Sequence, residues 1–334
     1  MRLLSHLHQL FNADTCHAYI HTLRWKDRPL HCPRCQSRAV GPWGNYHYRP
    51  TLKRYWCHSC RRTFNDLTHT LFAQSQRSLP HWILATFLLC LSCSSRRIAR
   101  ELGVHSQTSY RWCWWLRHAA LSHEMDRQLV GTVEADELYH TAGSKGQATQ
   151  GGKRSLGRRP HRRRKKREPG RSHYDKGRPA MIAWVSRQGP VVVQAVRDFT
   201  VTTVQKAADL VVQMGSRLYT DSASSYRALK GYVHEFVKHT KKEYARGEVH
   251  ENRAECLFSL LKPYLRVFRG ISKINLPGYL GFFQFLRNVR QQTAFEQAEM
   301  ILHAVLDPAV ASKARKGEFV TRFDHFNLLQ TAIN

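Results

Sequence analysis

The chain has 334 residues, 42% hydrophobic and 11% aromatic, which is enough to bury the cores of about two domains and too apolar for wholesale disorder. Lys and Arg total 53 against 24 Asp and Glu, a formal net charge of +29 whose self-repulsion is unfavourable unless a polyanion is bound, so nucleic acid is the expected partner. The longest apolar run, residues 82–93, is too short to span a bilayer, and residues 1–11 lack a signal peptide's apolar stretch. The basic residues are also spread through folded-looking sequence instead of one amphipathic helix, so no membrane association is expected.

Four of the nine cysteines form two pairs, Cys32-Pro-Arg-Cys35 and Cys57-His-Ser-Cys60, with 21 residues between them. Each pair supplies two thiolates from one tight turn, and four thiolates complete a closed tetrahedral shell, so the spacing predicts a structural zinc ribbon within residues 1–75. Glycines, prolines and aromatics in residues 40–56 fit short ribbon strands. His31 and His58 are neighbours of the ligands, since four thiolates suffice. The other five cysteines are scattered, which favours metal ligation in a reducing compartment over a disulfide framework and predicts a cytoplasmic, nucleoid-associated protein.

Residues 79–91 are an apolar stretch of helical length. A second helix, a turn at Gly103 and a third helix opened by Ser106 as its cap then read as a helix-turn-helix within residues 76–122. In that motif the second helix enters the major groove, which makes Ser106, Gln107, Ser109, Tyr110 and Arg111 candidates for DNA contact, with Arg96 on the preceding helix.

From residue 129 the pattern turns to strands. Residues 129–136 read as a strand ending on Asp136, residues 181–185 and 191–196 as a hairpin around Gln188-Gly189, residues 204–214 as a helix, and residues 217–220 as a strand ending at Asp221. A strand over 232–237 and a long helix from Asn252 follow. This order predicts an α/β ribonuclease H-like mixed sheet with flanking helices over residues 126–306. Asp136 and Asp221 would sit on adjacent central strands, with Glu255 reaching back over them. Three carboxylates of this kind can neutralise two divalent cations, magnesium or manganese, about 4 Å apart, as an in-line phosphoryl displacement needs. Strand alternation puts Glu134 on the face of Asp136 and Glu137 on the other; Asp136 is the preferred ligand and Glu137 the second choice.

Residues 144–179 interrupt this domain with a Gly-, Arg- and Lys-rich insertion centred on His161 to Arg167. It cannot bury a core and reads as an arm that meets the DNA backbone through Arg163, Arg164 and Lys165. Residues 276–306 read as amphipathic helices packing on the catalytic core, and residues 307–334 as a C-terminal tail.

The sequence resembles the bacterial insertion-sequence transposases of the DDE type that carry an N-terminal zinc ribbon. The motifs are Cys-Pro-Arg-Cys, Phe64-Asn-Asp-Leu-Thr-His-Thr-Leu-Phe72, Val133-Glu-Ala-Asp-Glu137, Tyr219-Thr-Asp-Ser222 and His250-Glu-Asn-Arg-Ala-Glu255, and the likeness runs from Cys32 to about Arg290. The resemblance implies that Asp136 and Asp221 are the first two catalytic carboxylates and that Glu255 is the third, with Asn252 one turn earlier as the alternative. It also implies that Lys262, seven residues after Glu255, shares its helix face and touches DNA. Two departures stand out: Cys256-Leu-Phe258 replaces the aromatic that often follows the acid, and Phe285-Leu-Arg-Asn-Val-Arg290 only approximates the usual closing motif. The expected activity is binding of terminal inverted repeats, hydrolysis of a strand there and joining of the 3′ end to target DNA, by a homodimer or larger assembly on DNA. The alternative is a catalytically inert, transposase-derived DNA-binding regulator.

Overall fold

A computed structural model describes residues 13–46, 49–73, 75–124, 127–141, 178–237, 250 and 252–316. The basic arm with Arg163, Arg164 and Lys165 lies outside the described residues. The chain divides into two compact units. One takes Met1–His123 and Val289–Val320, and the described part of the other spans Glu124–Asn288. No helix among the described residues is long and apolar enough to cross a membrane.

The first unit opens with α1 (Ala13–Arg24), a helix that the sequence pattern does not announce. An antiparallel sheet follows, β1 (Val40–Tyr46), β2 (Arg49–Cys57) and β3 (Arg62–Phe64), in the order β1-β2-β3. Tyr55, Cys57, Cys32 and Phe64 form its small core, against which Trp25 and Leu30 pack. Asp66, buried just after β3, holds α1 in place: its Oδ1 accepts from Trp25 Nε1 at 2.8 Å and lies 3.1 Å from His21 Nδ1. Asn65 closes the same turn by accepting from the backbone N–H of Leu67 at 2.9 Å, so the Phe-Asn-Asp run serves as a structural corner.

Three helices follow, α2 (Leu79–Cys90), α3 (Ser95–Glu101) and α4 (Ser106–Leu121). The ring of Trp82 in α2 stacks on Trp112 of α4 at 4.2 Å. The chain returns to this unit with α9 (Ala294–Leu306) and α10 (Pro308–Lys316). Thr293 and Glu296 form a reciprocal capping box at the start of α9, and Phe295 stacks on Phe87 of α2 at 4.3 Å. The amphipathic pattern assigned residues 289–306 to the catalytic core. Here they complete the first unit, because α9 packs on α2 and α4.

The second unit is built on a five-stranded mixed sheet in the order β6-β5-β4-β7-β8. Its strands are β4 (Thr132–Tyr139), β5 (Ala180–Ser186), β6 (Val191–Val196), β7 (Arg217–Thr220) and β8 (Val233–Phe236). β4, β5 and β6 pair antiparallel, whereas β7 is parallel to β4 and β8 parallel to β7. That order and those directions are the ribonuclease H-like arrangement. Helix α5 (Val201–Val211) lays Val204, Ala207, Ala208 and Val211 onto a core with Val133, Ala135, Ile182 and Trp184. A short helix, α6 (Ser224–Arg227), precedes β8. Helix α7 (Asn252–Val267) packs on β4 and β5, and α8 (Leu276–Asn288) on β6.

The exposed side of β6 is closed by side chains of α8. Asn288 Oδ1 accepts from the backbone N–H of Val191 at 2.8 Å, Asn288 Nδ2 donates to Val191 O at 3.0 Å, and Gln284 Oε1 accepts from Val193 N–H at 3.0 Å. Both amides also donate to Glu124 Oε2, at 2.9 Å from Gln284 and 2.7 Å from Asn288. Arg127 holds the same carboxylate through two bonds, its Nε at 2.7 Å. The N–H and carbonyl of Val191 and the N–H of Val193 on this edge are thereby paired within the chain and withheld from other strands.

Candidate functional site

In the ribbon, each Cys-x-x-Cys turn ends on a residue in the left-handed conformation, Gln36 at φ 61° and Arg61 at φ 51°. Gln36 N donates to Cys32 O and Arg61 N to Cys57 O, each at 2.9 Å, so the two turns are closed in the same way. They bring the sulfurs of Cys35 and Cys57 to 3.5 Å and those of Cys32 and Cys60 to 3.7 Å, with all four within 4.8 Å of one another. A tetrahedral ion with metal–sulfur bonds of about 2.3 Å needs sulfurs ~3.8 Å apart, so the four cysteines can hold a metal ion. His58 is exposed and His31 Nδ1 is engaged with Pro29 O, consistent with neither being a ligand.

The helix-turn-helix is formed by α3, Gly103 at φ 60° and α4. Two details differ from expectation. The cap of α4 is His105, whose side chain accepts from Gln107 N–H at 3.3 Å, so Ser106 is already the first helical residue. Ser109 is buried and donates to Ser95 O at 2.8 Å, tying α4 to α3; it is unavailable to a ligand. The remaining candidates, Arg96, Ser106, Gln107, Tyr110 and Arg111, are all exposed.

Asp136 lies within β4 and not at its end, because Leu138 and Tyr139 continue the pairing with β5. Strand β4 matches β7 through Thr132 with Arg217, Val133 with Leu218 and Glu134 with Tyr219. Beyond the last pair β7 ends at Thr220, so Asp221 leaves the strand two residues past Tyr219, as Asp136 follows Glu134 by two in β4. Asp221 Oδ1 accepts from Ala223 N–H at 2.9 Å, and Asp136 Oδ1 from Glu137 N–H at 2.7 Å, so local backbone bonds orient each carboxylate. Glu137 is pushed up to about 8, first by burial and then by the charges of Asp221 and Asp136. Its Oε2 is buried without a hydrogen-bond partner. Alternation assigns Glu137 to the far face, yet it feels the charge of both aspartates.

Helix α7 is amphipathic, with Ala254, Leu257, Phe258 and Leu261 buried and Asn252, Glu255 and Lys262 exposed on one side. Its first turn is fixed on the sheet by Glu134, which accepts from the backbone N–H of Arg253 at 2.8 Å. Since Glu134 and Asp136 share a face of β4, the start of α7 lies on the face that carries Asp136. Asp136 and Asp221 thus lie within electrostatic range of Glu137, but these acids do not form a closed cluster, with or without Glu255. Among the described residues the four cysteines are the only group of three or more His, Cys, Asp or Glu with ligand atoms within 4.8 Å of one another. Mutual repulsion of like charges opposes a tighter approach of the acids. Sequence reasoning leaves Glu134 open as a competing ligand and does not identify Arg187, whose partners are far away in the chain.

A five-stranded sheet in this order, with α7 over the face of its central strand, places the second unit in the ribonuclease H-like class. Residues 128–288 match the ISXO2-like transposase domain. Over 292 residues the chain is 31% identical to an uncharacterized protein in transposable element ISH50 of Halobacterium salinarum, covering 85% of this chain and 94% of that protein. The chain belongs to the insertion-sequence transposases that carry this domain. Among solved structures, a chain of the pre-cleavage Mos1 transpososome is 12% identical, covers 71% of this chain and 78% of its own, and superposes with a TM-score of 0.26. A chain of the Mos1 mariner paired end complex with Mn is 11% identical, with the same coverage and a TM-score of 0.25. Likenesses this distant add nothing to the fold assignment.

Proposed function

We propose that this transposase binds the terminal inverted repeats of its element, hydrolyses a DNA strand at each end and joins the freed 3′ end to target DNA. The observation that supports the reading is the register of β4 on β7, with Glu134 opposite Tyr219, which heads Asp136 and Asp221 toward each other, together with the charge of both aspartates acting on Glu137. With Asn252 and Glu255 on the helix started by Glu134, these residues offer hard oxygen donors of the type that magnesium or manganese takes. Glu137, half-buried beside both aspartates with its Oε2 buried and unpartnered, adds negative charge that a divalent cation would offset. When bound, the two ions supply Lewis-acid stabilisation of the charge that develops on the attacking and leaving oxygens.

Within this reading Asp136 and Asp221 hold the ions, Glu255 or Asn252 completes the set, and Lys262, two turns beyond Glu255 on the same helix side, holds a DNA phosphate. Water attacks the phosphodiester at the element's end and releases a 3′-hydroxyl. That hydroxyl then attacks a target phosphodiester and displaces a target 3′-oxygen, so bonds are exchanged without an external energy source. The ribbon, its four thiolates closed by zinc, and Arg96, Ser106, Gln107, Tyr110 and Arg111 engage the repeats. Arg163, Arg164 and Lys165 neutralise backbone phosphates, and a dimer or larger assembly pairs the two ends.

Asp136→Asn and Asp221→Asn are each expected to reduce magnesium-dependent strand cleavage by at least about a hundredfold while leaving repeat binding unchanged in a gel-shift assay. Wild-type-like cleavage in either variant overturns the assignment. Repeat binding by a wild-type protein that cleaves nothing in magnesium or manganese would leave a DNA-binding regulator.

A further inference from the structure

Glu134 is fully buried, and both of its oxygens are engaged by protein groups. Oε1 accepts from Arg187 Nε at 2.9 Å, and Oε2 accepts from the backbone N–H of Arg253 at 2.8 Å. His250 Nε2 lies 3.0 Å from Arg187 Nη2, which donates to it, and His250 Nδ1 stands 3.5 Å from Glu134 Oε1 without hydrogen-bonding to it. Arg187 is itself held. Its guanidinium lies over the ring of Tyr219 at 4.9 Å, and its carbonyl accepts from Arg253 Nη1 at 2.6 Å. Residues from β4, from the chain just after β5, from β7 and from the first turn of α7 thus close one ring of contacts.

The chemistry explains why a carboxylate is placed there. The first backbone N–H groups of a helix have no partner within it, and the helix dipole favours negative charge at that end. A buried carboxylate without partners would be costly, so Arg187 balances its charge while Arg253 N–H takes its second oxygen. With both oxygens so used, Glu134 is an anchor. It fixes the position of α7 on β4 at a point two residues along the strand from Asp136.

We propose that Glu134, Arg187 and His250 are positioning residues, a clamp that sets the first turn of α7 on β4 and so presents Asn252 and Glu255 to the site of Asp136 and Asp221. The clamp rests on the reading of that site as the centre of metal-dependent strand cleavage, and its test has an arm independent of that reading. In the full-length protein without divalent metal, Arg187→Ala and His250→Ala are expected to accelerate amide hydrogen exchange in residues 252–261 at least tenfold, with β5 and β6 unchanged. In cleavage assays the same variants are expected to raise the magnesium concentration for half-maximal activity about tenfold or more, the size of effect that outer partners of metal ligands exert, with activity recovering at saturating magnesium. Glu134→Gln, which keeps size and one acceptor but not the charge, should show a smaller shift in the same direction. Unchanged exchange in α7 of folded R187A and H250A overturns the clamp. So does an E134Q protein that is as inactive as D136N at every magnesium concentration while its α7 exchange stays at the wild-type rate, because that result makes Glu134 a ligand. If the wild type shows no metal-dependent cleavage, the reading of the site fails, and the exchange arm still decides whether the clamp holds α7.

Discussion

Glu137 carries a folding cost that the protein accepts next to its two aspartates. Burial and the charges of Asp221 and Asp136 raise it to about 8, so between its ordinary range and that value the folded chain binds a proton the unfolded chain does not. Stability must therefore fall as pH rises through this window. Glu137→Gln needs no proton, and in chelator at pH 7 it is expected to be more stable than wild type by on the order of 1–3 kcal/mol, with the gain shrinking toward pH 5. Thermal melting at the two pH values measures this, and an equal difference at both would reject it. Strand alternation alone sorts Glu134, Asp136 and Glu137 onto faces, and that much is legible in the sequence. What each acid does is not. Glu134 is decided by Arg187, 53 positions away, and by the backbone of Arg253, 119 positions away, and no local pattern encodes such partners.

At the level of elements, strand and helix periodicity locates most of the pieces that build the second unit. The hairpin around Gly189 and the order of strands follow from short apolar runs broken by turn residues. Boundaries are less legible. β4 runs beyond Asp136 because Leu138 and Tyr139 find partners in β5, and α4 is capped by His105, whose ring nitrogen substitutes for a hydroxyl. The role of α8 is hidden for a different reason. An Asn and a Gln four residues apart on an amphipathic helix do not say which strand they will meet, yet Gln284 and Asn288 take the place of a neighbouring strand along β6. Asn288→Ala leaves both backbone groups of Val191 and one side of Glu124 without those bonds. A loss of about 1–3 kcal/mol is expected, read as a lower urea midpoint, with a greater tendency to self-associate. An unchanged midpoint would show that water replaces the amide without penalty.

For the whole molecule, the pattern of cysteines and the composition indicate a metal-stapled, basic, two-part chain, and the four-cysteine cluster and two compact units agree with that outline. The connectivity is what composition cannot convey. Among the described residues the chain leaves the first unit after His123 and re-enters it at Val289, so the described part of the ribonuclease H-like unit interrupts the other. Phe87 of α2 waits for Phe295, and the carbonyls of Thr70 and Ala73 wait for Arg315, at 2.8 and 2.9 Å. A fragment of residues 1–123 is therefore expected to expose apolar surface and to lack a cooperative melting transition, whereas the same fragment joined through a flexible linker to residues 289–316 should show one by calorimetry. A cooperative transition in the short fragment alone would contradict this.

The interleaving also bears on how the gene product matures. During synthesis the ribbon and its three following helices emerge first, yet their last structural partners are translated only after the whole of residues 124–288. A message broken or frameshifted anywhere in that segment yields a nascent chain without its finishing helices, so such truncated products would leave the first unit incomplete.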